Sequence, residues 1–98
     1  AFRAVVRRVL ERVPLETGLD AAILGVVRQA AEGVLGQPIT PTGVSFWTDA
    51  ASLHNAGIPT VLFGPSGEGA HAAVEWVDVA SVRACAEVYL ATALAFCG

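Results

Sequence analysis

The sequence predicts an α/β fold whose elements follow the order helix, strand, helix, strand, helix. Three observations lead to this prediction. Apolar residues at helical spacing predict a helix that begins near Thr17 and ends at Gly36, and a long apolar stretch predicts a closing helix from about Asp78 to Cys97. Short β-branched and aromatic runs at Gly43–Trp47 and Thr60–Phe63 predict strands. Helices that alternate with strands are typical of layered α/β proteins.

The first two elements carry recognisable boundary residues. Phe2–Val13 fits both a helical face and a two-residue alternation, so it is predicted as either a helix or a strand, and Pro14 ends it in both cases. Thr17 and Asp20 form a capping-box-like start for the helix that follows. Glycine and proline then stop that helix at Gly36.

The predicted strand Thr60–Phe63 is followed by a loop that is a candidate position for functional residues. Asp49 stands where the N-cap of a brief helix belongs, and that helix is expected to end at Gly57. The strand that follows leads into Gly64–His71, which holds three glycines and Pro65. A long loop directly after a strand is the usual position of functional residues in an α/β sheet.

The composition predicts a chain that does not cover its own apolar surface. Of 98 residues, 54% are hydrophobic and only 15% are charged, which excludes intrinsic disorder and suggests that another polypeptide covers part of the surface. No methionine occurs, the chain begins at Ala1, and all six basic residues are arginines. We therefore expect a processed or truncated piece of a longer protein.

The charge distribution argues against nucleic acid as a partner. The formal net charge is -3, and the basic residues gather in the first twelve positions, at Arg3, Arg7, Arg8 and Arg12. Binding to a phosphate backbone requires several basic side chains on one continuous face. This short cluster is read instead as a solvated face of one strand or helix.

The C-terminal apolar stretch is predicted as a buried helix and not as a membrane span. Asp78, Arg83 and Glu87 interrupt it, whereas a span needs about 20 predominantly apolar residues. Cys85 and Cys97 are twelve positions apart, which on a helix is about 18 Å, too far for a disulfide. Free core thiols and the lack of a secretion signal predict a cytoplasmic setting.

Two histidines and one serine are the candidates for chemistry when the residues are taken alone. His71 ends the glycine-rich loop, and His54 lies in the brief helix, where a packing role is expected. Two histidines do not supply the three protein ligands of a catalytic zinc site. Gly64–Glu68 imitates the Gly-x-Ser-x-Gly motif of serine hydrolases, but Glu68 replaces the last glycine. A phosphate-binding loop is excluded because no lysine and no GxGxxG motif occur.

The stretch Gly43–Val77 carries a resemblance to a known family. The matching pieces are the Thr-Asp-Ala at Thr48–Ala50, the AGIPTVLFGP at Ala56–Pro65, and an Ala-His pair ending at His71 with Glu75 after it. Together they strongly resemble the C-terminal catalytic segment of the zinc-dependent aminoacylase and carboxypeptidase family, which includes acetylornithine deacetylase and succinyl-diaminopimelate desuccinylase.

The resemblance implies a domain division and a fold. Residues 1–13 would be the last strand of the lid, or dimerisation, domain, and residues 14–98 the C-terminal part of the catalytic metallohydrolase domain. The chain would then be a truncated part of a three-layer zinc-peptidase-like domain. Its partners would be the rest of that catalytic domain and a second copy in a homodimer.

The resemblance also implies a chemistry. The complete enzyme would hold two zinc ions, with cobalt or manganese as substitutes, and cleave amide bonds of N-acyl amino acids or small peptides. His71 would be a metal ligand. Asp49, Gly64 and Glu75 would contact the substrate or support the metal ligands, although Asp49 could equally serve only as a helix cap. The remaining ligands and the general base would lie upstream, so no catalytic residue is assigned here.

A second interpretation assigns the chain to a different class. It is a non-catalytic α/β interaction module that pairs through an exposed apolar face with another polypeptide. The coding sequence upstream of Ala1 distinguishes the two, because the enzyme requires an open frame that continues into a His-x-Asp motif.

Overall fold

The computed structural model describes all 98 residues and consists of two packed helices, a short helix and a small hairpin. In chain order the elements are α1 (Ala22–Leu35), α2 (Ala50–Asn55), β1 (Gly67–Glu68), β2 (Trp76–Val77) and α3 (Val79–Cys97). The long helices α1 and α3 pack against each other. The strands pair antiparallel, with Gly67 opposite Val77 and Glu68 opposite Trp76.

The helix boundaries follow the sequence except at the start of α1. Gly36 ends α1 in the left-handed conformation, with φ 67°, and the Asp78 carboxylate accepts from the Ala80 N–H at the start of α3. The predicted capping box is wrong, because Ala21 takes the N-cap position of α1 without a side-chain cap. The Thr17 hydroxyl instead donates to the Thr60 carbonyl at 2.5 Å, a contact 43 positions away that local pattern does not predict.

No strand forms at Gly43–Trp47 or Thr60–Phe63, where the sequence pattern predicts strands. None forms at Phe2–Val13 either, where the family resemblance predicts one. None of these three segments exchanges a backbone–backbone hydrogen bond with any other residue. A strand exists only through ladder bonds to a neighbouring backbone, and the residues that contact these segments do so through side chains, not through a paired backbone. The three-layer α/β domain stays a prediction.

Side chains nevertheless fasten the unpaired segments to the rest of the chain. The Trp47 indole N–H donates to the Val13 carbonyl at 3.0 Å, and the Arg12 guanidinium lies 5.2 Å from the centre of the Trp47 ring. The Tyr89 hydroxyl donates to the Phe63 carbonyl at 2.6 Å, with the two rings edge to face. Contacts between residues far apart in sequence therefore hold Trp47, Phe63 and the C-terminal end of Phe2–Val13 without pairing their backbones.

The chain buries little of itself. Its accessible surface is 8039 Å², whereas a compact protein of 10.1 kDa exposes roughly 5,300 Å². The radius of gyration is 17.4 Å, against about 13 Å for a compact domain of this length. The buried residues are small: Ala31, Ala50, Ala51, Cys85 and Val88. The excess of about 2,700 Å² corresponds to one side of a large obligate interface.

α3 is long and apolar enough to cross a membrane by length and composition, a test that core helices of soluble proteins pass as well. It contains Arg83 in its second turn and Glu87 near its middle, it packs against α1, and it buries Cys85 and Val88. Only 11% of its most apolar 18 residues are buried, so these properties fit a core helix whose other face the rest of a larger domain would cover. The prediction that α3 does not span a membrane rests on them.

The two cysteines differ, which corrects the expectation of two core thiols. Both are free, but Cys85 is buried whereas Cys97, in the last turn of α3, is exposed. Burial raises the pKa of the Cys85 thiol above its ordinary value, which lowers its thiolate fraction at any pH below that value. The last turn of the helix has no neighbouring element to cover Cys97, so position along α3 decides the difference.

We expect iodoacetamide at mildly alkaline pH to alkylate Cys97 rapidly and Cys85 only as fast as the chain unfolds. Alkylation requires a thiolate that the reagent can reach, and the buried Cys85 thiol is inaccessible in the folded chain. Peptide mass spectrometry over a time course measures the two rates separately. Equal rates under native conditions would contradict the burial of Cys85, and the same reaction in denaturant, where both thiols react alike, is the control.

Candidate functional site

His71 lies at the end of the hairpin formed by β1 and β2, in the loop of residues 69–75. Two glycines allow the strands to approach this closely. A Cβ atom at Gly67 would overlap the Trp76 carbonyl oxygen, and one at Gly69, where φ is 80°, would overlap the Val74 carbonyl oxygen. The glycine-rich sequence that marked this loop is thus required by the tight crossing of its own backbone.

The backbone of His71 is in the left-handed region, with φ 65°, and no other non-glycine residue has a positive φ. A turn in which the Ala72 N–H donates to the Gly69 carbonyl at 2.7 Å holds it there. The imidazole is exposed and makes no hydrogen bond or ion pair. Residues kept in such conformations cluster at functional sites, and this one presents an unpartnered imidazole.

Asp49 stands at the N-cap position of α2, as predicted, but its carboxylate does not cap the helix. Its backbone is helical, with φ -62° and ψ -16°, whereas a capping side chain needs an extended N-cap. The exposed carboxylate makes no hydrogen bond or ion pair. The interpretation of Asp49 as a cap alone is therefore wrong, and its carboxylate is free for another partner.

Glu75 and Gly64 lie on either side of the hairpin. Glu75 shares the loop of His71, and its exposed carboxylate has no partner. Gly64 precedes β1, is exposed, and has open space where a Cβ would stand. The structure thus places His71 and Glu75 in one loop, but no hydrogen bond links them to each other, to Gly64 or to Asp49.

His54 has a different environment from His71. It is half-buried in α2, and its Nδ1 atom is buried without a partner. The expected packing role of His54 agrees with this partial burial.

Ser66 and Ser81 lie at the base of the hairpin. The sequence singles out Ser66 only as the serine of an imperfect Gly-x-Ser-x-Gly motif, and it does not single out Ser81. The Ser66 N–H donates to the Ser81 hydroxyl. Ser81 is three residues after the N-cap Asp78, a spacing at which hydroxyl groups regularly bond backbone near a helix start. That spacing was the available signal.

No three His, Cys, Asp or Glu side chains in the chain come close enough together to hold a metal ion. His71 fits one ligand position, since an exposed, unpartnered imidazole suits zinc. A cavity of about 810 Å³ lies between residues 12–19, α1, residues 39–48 and residues 61–63, and none of the candidate residues lines it. A complete metal site would need further ligands from outside these residues.

Comparison with known proteins decides the family. The family model of peptidase family M20/M25/M40 matches residues 3–95. The chain belongs to this family. Its members are metal-dependent hydrolases, which confirms the resemblance at the level of the family and the general activity. No curated protein and no solved structure matched the chain.

Proposed function

We propose that these residues form the C-terminal part of the catalytic domain of a zinc-dependent hydrolase that cleaves amide bonds of N-acyl amino acids or small peptides. The proposal rests on one observation in a member of a family of metal-dependent hydrolases. The His71 imidazole is exposed and has no partner, and the backbone of His71 is held in the left-handed conformation. The deacetylase, desuccinylase and carboxypeptidase activities all belong to this substrate class.

In this proposal His71 would hold zinc through the lone pair of one imidazole nitrogen. Bound zinc would supply polarisation of the amide carbonyl and activation of water near neutral pH. Glu75, in the same loop, would orient His71 or contact substrate. The free carboxylate of Asp49 and the exposed peptide groups at Gly64 would face the substrate. These roles use the exposed, unpartnered state of each residue.

The proposed partner of the chain is the rest of the same catalytic domain. Two features support it: an excess exposed surface of about 2,700 Å² and strand segments whose backbone groups are unpaired. Added strands beside Gly43–Trp47 and Thr60–Phe63 would complete the three-layer fold, with residues 1–13 as the last strand of the lid domain. A cytoplasmic homodimer that binds neither nucleic acid nor membrane completes the proposal.

The non-catalytic interaction module remains the second candidate, because the exposed apolar surface would serve any polypeptide partner. The complete polypeptide that contains these residues is here called the complete enzyme. The hydrolase hypothesis predicts a His-x-Asp motif upstream in that polypeptide, whereas the interaction-module hypothesis predicts none.

Activity on N-acetyl amino acids tests the proposal. The complete enzyme with zinc should hydrolyse them, and a chelator should abolish the turnover, whereas the 98 residues with zinc should not exceed the buffer rate, since they lack a general base and most ligands. Liberated amino groups are measured by derivatisation. Absence of metal-dependent amide hydrolysis by the complete enzyme would refute the function, and turnover by the 98 residues alone would refute the ligand count.

A further inference from the structure

The hairpin that carries His71 is tied to α3 at its neck, where Ser66 precedes β1 and Asp78 follows β2. The Asp78 N–H donates to the Ser66 carbonyl at 2.9 Å. The Ser81 hydroxyl accepts from the Ser66 N–H at 3.0 Å and donates to the Asp78 carbonyl at 2.7 Å. One hydroxyl, with one proton and two acceptor sites, therefore joins both sides of the neck to the first turn of α3.

Little else fixes the direction of this hairpin. Its ladder has only two residue pairs, and a short isolated hairpin is marginally stable in water. No side chain in the loop of residues 69–75 makes a hydrogen bond or ion pair. By contrast, α3 has 19 residues and packs along α1. The neck is the place where this rigid helix pair controls the position of His71.

We propose that Ser81 is a positioning residue for His71, a role that rests on the proposed function of His71 as a zinc ligand. Without the hydroxyl, the Ser66 N–H loses its partner and one of the two bonds across the neck disappears. His71 then samples a wider range of positions, and part of the binding free energy is lost to ordering it. Groups that hydrogen-bond a metal ligand directly contribute a factor of about 10 to 100 to metal affinity, and Ser81, which acts through the hairpin neck, is expected at the lower end of that range.

Zinc affinity of the folded complete enzyme, measured by chelator competition well below its unfolding temperature, tests this role. Ser81→Ala should weaken zinc binding by roughly tenfold, and Ser81→Thr, which keeps the hydroxyl, should restore it to within a few-fold. Ser52→Ala is the matched control, because the Ser52 side chain is exposed on α2 and makes no hydrogen bond. A residue that only supports folding would shift the unfolding temperature without this hydroxyl-dependent change in affinity.

The outcomes separate the two proposals. If Ser81→Ala binds zinc as tightly as the wild type while His71→Ala does not, the positioning role is refuted and the proposed function stands. If His71→Ala itself binds zinc as tightly as the wild type, the ligand role of His71 fails and the positioning role of Ser81 fails with it. Should Ser81→Ala not fold, Ser81→Val compared with Ser81→Thr gives the same measurement, since the two side chains differ by a methyl group in place of the hydroxyl; equal affinities would overturn the role.

Discussion

Replacing His71 by alanine in the complete enzyme is expected to remove activity by more than about 100-fold and to lower the zinc content with it. The residue would hold the metal directly, and even indirect partners of a metal contribute about 10- to 100-fold. The loss should include zinc, since His71 makes no other interaction in the chain whose removal could damage the fold. Metal analysis alongside turnover measures both quantities.

His54→Ala is the matched control, since His54 and His71 are the only histidines. His54 is half-buried, with an unpaired Nδ1 atom in α2, so its replacement should cost packing and leave activity within a few-fold and zinc unchanged. Circular dichroism verifies that both variants keep their helices. Retention of zinc and near-normal turnover by His71→Ala would show that the resemblance explains the fold alone.

Local signals in the sequence predict the helices well because the hydrogen bonds of a helix join residues that are close together in sequence. Asp78 caps α3, and Gly36 ends α1 with a left-handed residue, as their positions indicate. The predicted start of α1 near Thr17 is wrong, since the helix begins at Ala22. The Thr17 hydroxyl bonds instead to Thr60, a partner that no local pattern reveals. Strands depend on such distant partners throughout, so Gly43–Trp47 shows strand composition but no ladder.

The sequence predicts those parts of the candidate site that depend on local features, and it misses those that depend on distant contacts. The glycine-rich loop and His71 are local features, and the family resemblance adds a chemistry that spacing alone does not supply. The hairpin was missed because its two-residue strands have no periodicity to detect. Ser81 was missed because its hydroxyl acts through Ser66, 15 positions earlier. The capping assignment of Asp49 failed on its backbone conformation, which residue type does not fix.

The 98 residues in isolation are expected to self-associate and to bind a hydrophobic dye. Their exposed surface exceeds that of a compact protein by about 2,700 Å², and it includes large apolar side chains such as Leu62, Val82 and Leu94. The backbone of Thr60–Phe63 makes no ladder bond, so it offers groups with which a strand of another copy could pair. Exposed apolar patches and free edges both favour association between copies. Sedimentation velocity and dye fluorescence over a concentration series measure the effect.

A charge placed within Thr60–Phe63 distinguishes association through this segment from an effect of net charge. Leu62→Lys places an ammonium group within Thr60–Phe63, where a pairing strand would have to desolvate it, so the association constant should fall by roughly tenfold or more, a change of about 1.4 kcal/mol. Ser52→Lys adds the same charge to an exposed position of α2 and should leave association nearly unchanged. Equal effects of the two variants would assign association to net charge. A monodisperse monomer that binds no dye would show that the exposed surface needs no partner, and the proposed remainder of the catalytic domain would lose its main structural support.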